Sequence, residues 1–574
     1  MAALAAPALP IGQSDFRKLR RQGLRYVDKT CFAMQVLDSA SETLVYTRPR
    51  RFGKTLNLSM LRYFVEQSPE DHTKLFEGLE MWDARHGERY KAHFQRYPVI
   101  HLSFRDLKTS TWSECEIKIR EKLQTELTRL RRQYPFDALD DSEHARIKQW
   151  YLPDTPTIHY HNYLTYLSDW LQRESKQLVI ILIDEYDTPL HAAYLHGYYD
   201  KAIEFFRALL GGGLKDNEHL FHGVVTGILR VAKEGLFSGL NNVDVFSTLD
   251  PESATHFGFT EAEVQQLAHD YGQASKLSGL RAWYNGYRFG GTQCAVIYNP
   301  WSILNYLAHP ERDFCPHWIN TSDNALLQEL LTGQQRRLGA ELTALMQGQC
   351  IEKPLEEYLV LRDMQRRPDV LWSFLFMAGY LRIEGTYNPK QDRHKLTLPN
   401  QEVAAIYRQS FLRFLEAGVA DTGEQALALC EAIVRGDAVY AEAGLQELFL
   451  NILSYQDLTR HSGEAIYQCF VVGLLVALQE RYWVRTNREG GFDRYDVLVL
   501  PKTPGEPGVV LEFKALKSDA PETVDEALTD GLAQVHQRKY AAELEEAGAT
   551  PIHALAIACH CKQVWVRGEC LSVS

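Results

Sequence analysis

The sequence predicts an α/β protein in several parts: an N-terminal parallel sheet around a phosphate-binding turn, a helical middle region, and a smaller α/β unit at the C-terminus. Three observations predict it. Short apolar runs alternate with long helical stretches over the first third of the chain, the pattern of a parallel sheet with crossover helices. One of these runs leads through Gly53, Lys54 and Thr55 into a helical stretch, which is where an anion-binding loop sits. Four strand-like runs with a helix among them return near the end of the chain.

Length and charge bound the reading. At 574 residues the chain is long enough for two to four domains. Hydrophobic residues at 45% and charged residues at 24% are ordinary for a globular protein. A net charge of -12 excludes a molecule coated in basic surface, so any contact with nucleic acid has to be local. The charge is uneven: residues 1–70 hold 11 Lys/Arg against 6 Asp/Glu, with "RKLRR" at 17–21, whereas 461–574 hold 11 against 16. Ten cysteines without framework spacing point to reduced thiols in the cytosol. Cys559 and Cys561 in "IACHC" leave two readings, buried thiols or part of a metal site, although no second ligand pair lies nearby. The N-terminus lacks a positive leader region and no window is apolar for the ~18 residues of a span. A cytoplasmic protein without membrane contact is the expectation.

The elements follow in order. "TLVYT" (43–47) reads as a strand entering the glycine-lysine turn, and "LNLSMLRYF" after it as a helix. "YPVIHLSF" (97–104), "QLVIILIDEYD" (177–187) and "FHGVVTGI" (221–228) are further strands, separated by helical segments such as 114–133. From about 255 to 455 the spacing is mostly helical, broken by turns such as "YNGYRFGG" (284–291). Strands return at "RYDVLVL" (494–500), "GVVLEFKAL" (508–516), "HALAIACH" (553–560) and "QVWVRG" (563–568), with a helix near 522–546. The expected domains are 1–255, 256–330, 331–455 and 456–574.

Gly53, Lys54 and Thr55 match the end of G-x-x-x-x-G-K-[ST], with Arg48 at the position of the first glycine. In such a loop, here Arg50, Arg51, Phe52, Gly53, Lys54 and Thr55, backbone N–H groups wrap phosphates. The lysine reaches the terminal phosphates and the threonine hydroxyl takes Mg²⁺. The missing glycine supplies conformational freedom, not a ligand atom. "VIILIDE" is apolar, as a doubly buried parallel strand is, and ends in Asp184 for Mg²⁺ and Glu185 to polarise water. "YPVIHLSF" lies between these motifs in sequence, which marks the ATPase division with a catalytic Glu after the Asp. Thr226 then falls where a γ-phosphate sensor sits. Arg230 reads either as a sensor or finger arginine or as a solvated helix residue.

At the other end, Glu512 and Lys514 share one face of a strand. A turn centred near 504 or 505 sets Asp496 opposite residue 512 or 513. Two carboxylates and a lysine suit Mg²⁺- or Mn²⁺-assisted phosphodiester hydrolysis, with the metal on Asp496 and Glu512. A cross-strand ion pair of Lys514 with one carboxylate is the other reading. Glu464 is either a further ligand or a helix-surface residue.

Taken together, "LPIGQSDFRKLRRQGLRYVDKT", "RPRRFGKT", "IDEYDTPL", "LFSGLNNV", "WYNGYRF" and "YNPWSILNYL" resemble the bacterial and archaeal AAA-ATPase-like family. The resemblance implies a P-loop ATPase module followed by a restriction-endonuclease-like domain of the PD-(D/E)xK superfamily, and Arg at the first glycine position is usual there. It also implies ATP as the nucleotide, and Gln534 and Tyr540 as residues of the helix supporting the nuclease site. Two functions are expected: an ATP-dependent nuclease in defence or repair, or a nucleotide-switched interaction protein whose nuclease fold is silent. The partners implied are ATP, nucleic acid with DNA ahead of RNA, a protein at the helical middle, and further copies of the chain.

Overall fold

The computed structural model describes residues 6–86, 88–134, 140–152, 155–229, 242–291, 295–318, 341, 344–346, 348–359, 361, 367–388, 393–407, 423–452, 467–468, 471–472, 474–475, 478, 480–486, 496–516, 521–537, 541–560 and 562–571. The chain divides into two compact units, Met1–Thr321 with Glu352–Glu402, and Ser322–Ile351 with Val403–Ser574.

The first unit is built on β1 (Thr43–Thr47), β2 (Val99–Ser103), β3 (Val179–Asp184), β4 (Leu220–Gly227) and β5 (Val243–Phe246). Their order is β2–β3–β4–β1–β5, and every pair is parallel. All residues of β1 and β3 are buried, so both read as continuous apolar runs instead of alternating ones. The strand lying between the two motifs in sequence, β2, is an edge of the sheet. The strand lying between them in space is β4, which brings Thr226 between the Gly-Lys-Thr turn and Asp184. β5 had no separate sequence signal, because "VDVF" is too short to show a period.

A strand at a sheet edge needs partners for its outward backbone groups. The helix Trp112–Gln133 supplies them for β2. Glu126 accepts from the His101 N–H at 2.6 Å and Arg129 donates to the Val99 carbonyl at 2.6 Å. Arg129 is held in turn by Glu126 and Glu66.

The stretch read as helical contains Glu261–Asp270, opened by a Thr260/Glu263 capping box, together with Pro300–Ala308 and Pro368–Met377, each with Pro in its first turn. Short strands interleave with them: β6 (Tyr287–Phe289) with β7 (Ala295–Ile297), and β8 (Ile351–Lys353), β9 (Arg382–Asn388) and β10 (Arg393–Thr397) in the order β8–β10–β9.

The second unit holds β11 (Tyr482–Thr486), β12 (Val497–Pro501), β13 (Gly508–Ala515), β14 (Ile552–His560) and β15 (Gln563–Leu571), in that spatial order. β13 and β14 run parallel, joined through the helix Pro521–Gln537; the other neighbours are antiparallel. One sheet face packs Leu498, Leu500 and Val510 against Leu528, Leu532 and Leu544. The opposite face packs Val497, Leu511 and Phe513 with residues of the helices Gly423–Val434 and Ala438–Ile452. Those two helices precede residue 456, so this unit begins well before the strands that announce it. Gln446 and Glu442 accept from the Val564 and Val566 N–H groups of β15, covering that edge as Glu126 covers β2.

Glu402 anchors the first unit's returning segment. Its carboxylate is fully buried and accepts from the Ser302 hydroxyl and from the His317 and Trp318 N–H groups. Burial pushes its carboxyl up from 4.5 to about 7, against the hydrogen bonds that lower it. Folding therefore takes up a proton here, and the stability from this group is complete below pH 4.5 and lost as pH rises to 7. The stability of the wild-type protein relative to Glu402→Gln is expected to fall by about 3 kcal/mol between pH 4.5 and 7, measured by calorimetry of the two proteins side by side.

Candidate functional site

The first site forms where β1, β3 and β4 end. Gly53 precedes the helix Lys54–Val65 with φ of 88°, a left-handed conformation natural to glycine, and a Cβ there would meet nothing within 4 Å. Lys54 is 4% exposed and donates to the Arg48 and Pro49 carbonyls, both at 3.0 Å. Its ammonium is folded back on the loop it would leave to reach a phosphate. Burial pulls the Lys54 pKa down, opposed by the carboxylates of Glu185, Asp187 and Asp184.

Asp184 is fully buried. It accepts from the Thr55 hydroxyl on one oxygen and the Thr226 hydroxyl on the other, each at 2.8 Å. Burial, and then the Glu185 carboxylate, push its carboxyl above the ordinary range. Glu185 has φ of 52°, a conformation that a non-glycine residue holds only when its surroundings impose it, and its carboxylate accepts from the Thr188 hydroxyl at 3.2 Å. Lys54, Thr55, Asp184, Glu185 and Thr226 are therefore brought together. Asp184 and Thr55 supply the hard oxygens that suit Mg²⁺.

The other loop residues divide. Arg51 stacks its guanidinium 4.4 Å from the Trp301 ring centroid, and burial followed by Arg105 lowers its pKa. Arg50, Arg105 and Lys108 add positive charge around Glu185; the last two follow β2 and had no sequence signal. Phe52, expected among the nucleotide contacts, turns its ring into the core against Tyr287 and Phe289, so its backbone alone remains for the loop. Arg230 lies outside the described residues.

Sequence reasoning missed two supports. The first is Arg48, which does more than stand in for a glycine. Its side chain is fully buried, donates to the Thr47, Phe246 and Ser253 carbonyls and the Ser253 hydroxyl, and lies over Phe257 and Phe289. It ties the loop to β5 and the segment after it, and burial draws its pKa down to about 10. The second is the pair Tyr186 and Asp187. Asp187 accepts from the Ile228 and Leu229 N–H groups at 2.8 and 2.9 Å, and Tyr186 donates to the Leu229 carbonyl. A Cβ on Gly227 would strike the Tyr186 ring at 2.6 Å. Together they clamp the end of β4, which fixes Thr226. The quoted "IDEYD" held that signal, but nothing in spacing says where its last two side chains go.

The second site lies on β12 and β13. Val497 pairs with Leu511, and one further step in that register sets Asp496 opposite Glu512. The Asp496 carboxylate accepts from the Phe513 N–H at 2.7 Å, taking a backbone donor where the ladder ends. Glu512 is 4% exposed. Lys514 donates to Glu512 and to Gln534 of the helix Pro521–Gln537, both at 3.0 Å. The ion pair and the convergent cluster are thus one arrangement, with Asp496, Glu512, Lys514 and Gln534 gathered together. Two carboxylates on adjoining strands suit a divalent cation. Glu464, Tyr540 and Cys561 lie outside the described residues; Cys559 is buried, and no group of three or more metal-ligating side chains forms among the described residues.

Comparison with known proteins agrees with both units. Residues 10–237 match the family model described as predicted AAA-ATPase, and residues 462–569 match that of the PD-(D/E)XK nuclease superfamily. An uncharacterized protein from the vnfD 5′ region of Azotobacter chroococcum mcd 1 is 30% identical over 457 residues, covering 77% of this chain and 76% of that protein. The chain belongs to the predicted AAA-ATPase family and carries a PD-(D/E)XK nuclease superfamily domain at its C-terminal end. Among solved structures, a Walker-type ATPase of Pyrococcus abyssi is similar at 11% identity and a TM-score of 0.35, over 70% of this chain and 98% of that one. No described helix is long and apolar enough to cross a membrane.

Restoring the missing glycine is a direct test of Arg48. Arg48→Gly leaves the Phe246 and Ser253 carbonyls without their buried donor, at about 1–3 kcal/mol for each such group. The variant is expected to unfold at markedly lower temperature in calorimetry while gaining no affinity for a fluorescent ATP analogue.

Proposed function

We propose that this protein hydrolyses ATP and that its nucleotide state is coupled to metal-dependent cleavage of nucleic acid, DNA ahead of RNA, in defence or repair. The observation that carries the reading is the Lys514 ammonium held between Glu512 and Gln534 with Asp496 one strand away. A partly buried charged cluster centred on the buried Glu512 is costly to keep without use, and it coexists with Thr55 and Thr226 joined through Asp184.

In the first site Lys54 binds the terminal phosphates, Glu185 takes the proton of the attacking water, and Thr226 donates to the γ-phosphate side of the reaction. Thr55 and Asp184 are the residues to hold Mg²⁺, which supplies charge neutralisation to the phosphates when bound. In the second, Asp496 and Glu512 are the residues to hold Mg²⁺ or Mn²⁺, which supplies Lewis acidity to the phosphodiester. Lys514 orients the nucleophilic water and Gln534 orients Lys514. A second reading, a nucleotide-switched interaction protein with a silent nuclease fold, draws on the excess of acidic residues over 461–574.

The two readings separate by mutation. Lys54→Ala is expected to lower ATP hydrolysis by about 100-fold or more while leaving the nuclease carboxylates in place. Asp496→Ala is expected to abolish cleavage of single- and double-stranded DNA and RNA while sparing ATP hydrolysis. Cleavage retained in Asp496→Ala, or a cellular effect that survives this substitution, refutes the nuclease assignment. Chelation by EDTA is expected to stop both reactions, with added Mn²⁺ restoring cleavage of a labelled oligonucleotide.

A further inference from the structure

A nuclease acting on a polyanion needs cations near its cutting site, and two facts make their source specific. Residues 461–574 are acidic in balance. The basic run at 17–21 is engaged within its own unit: Arg17 and Arg21 pair with Glu70, and Arg20 donates to the Leu75 and Glu77 carbonyls. The cations have to be sought beside the carboxylates themselves.

β11 supplies them. In the β11–β12 pair Trp483 is opposite Leu500 and Arg485 is opposite Leu498, and cross-strand partners project from the same face. Leu498 and Leu500 pack with Val510 on one face of the sheet. By the two-residue alternation of strands, that face also carries Glu512, Lys514 and Asp496. Trp483 and Arg485 therefore share the face of the carboxylates. Arg485 stands two residues of register from the level of Asp496, roughly 7 Å along the sheet, and Trp483 four, roughly 13 Å.

Trp483 is 57% exposed although Leu498 and Leu500 beside it are buried, so the helices covering this face leave its ring open. The Lys502 ammonium sits 4.3 Å from the ring centroid, a cation–π contact that steadies the indole and sets a positive charge beside it. Arg485 is 40% exposed and its guanidinium is held by Glu543 at 2.8 Å, so the Lys502 ammonium is the cation offered beside the ring.

Resting on the nuclease reading above, we infer that Trp483 and Lys502 form a platform that stacks an unpaired base and tracks the backbone of single-stranded nucleic acid leading to Asp496 and Glu512. An exposed indole with an ammonium beside it has the chemistry for this: every base has a face to stack, and stacking needs no sequence. A duplex buries those faces, so the platform discriminates for single strands, or for frayed and looped segments of longer molecules.

The test is fluorescence anisotropy of a labelled 20-nucleotide single strand, and of the matching duplex, on the full chain with Ca²⁺ in place of Mg²⁺. Trp483→Ala is expected to weaken single-strand binding by about 5- to 150-fold, Trp483→Phe to retain most of it, and duplex binding to stay unchanged. Lys502→Ala is expected to flatten the dependence of log affinity on log salt by about 0.7, whereas Trp483→Ala leaves that slope alone. Wild-type binding that persists undiminished in Trp483→Ala overturns the platform and leaves the nuclease reading standing. Equal losses for strand and duplex overturn the single-strand preference. A wild-type protein that binds no nucleic acid of either form overturns the platform and the nuclease reading together.

Discussion

The Asp184 carboxylate is the interaction on which the first site depends. A carboxylate without solvent exposure has to find hydrogen-bond donors inside the protein. It finds Thr55, and at longer range Ser103, on one oxygen and Thr226 on the other. The Thr55 and Thr226 hydroxyls come from the helix after β1 and from the end of β4, so one side chain of β3 joins three parallel strands at their C-terminal ends. The strand order that places β4 between β1 and β3 is what allows this.

Other buried polar groups extend the same principle outwards. Arg48 binds the loop to β5, and Asp187 binds the turn after β4 to the segment after β3. Neither is placed to act on a substrate. Each satisfies backbone groups that would otherwise be buried unpaired, and in doing so limits where Lys54 and Thr226 stand. The site is held from behind by residues whose partners are main-chain carbonyls and amides.

The second unit uses a related device where its ladder ends. The Asp496 side chain accepts from the Phe513 amide, and the carboxylate is fixed by the backbone of the strand that carries Glu512. Lys514 then takes its position from a strand carboxylate and a helix amide at once. Both units also cover a sheet edge with polar side chains from a neighbouring helix, Glu126 and Arg129 at β2, Gln446 and Glu442 at β15. β11 carries the exposed Trp483 instead, which is a reason to look there for a ligand.

Much of this was legible in the chain because it depends on local spacing. The runs "TLVYT" and "VIILID" announced buried parallel strands, Gly53 to Thr55 announced an anion loop, and a constant register sum about the turn near 504 brought Asp496 to Glu512. Other features were not legible. β5 is too short to show a period, the Arg48 side chain gives no local sign that it turns inward, and the helices at 423–452 look like any amphipathic connector. The sequence by itself determined the element types and the chemistry of each motif, since period, turn residues and side-chain functional groups are properties of neighbours along the chain. The tertiary structure decided which strand lies between which, which carbonyls Arg48 and Lys54 reach, and that Trp483 shares a face with the carboxylates. Those are pairings between residues tens to hundreds of positions apart, set by the burial of one sheet against its helices.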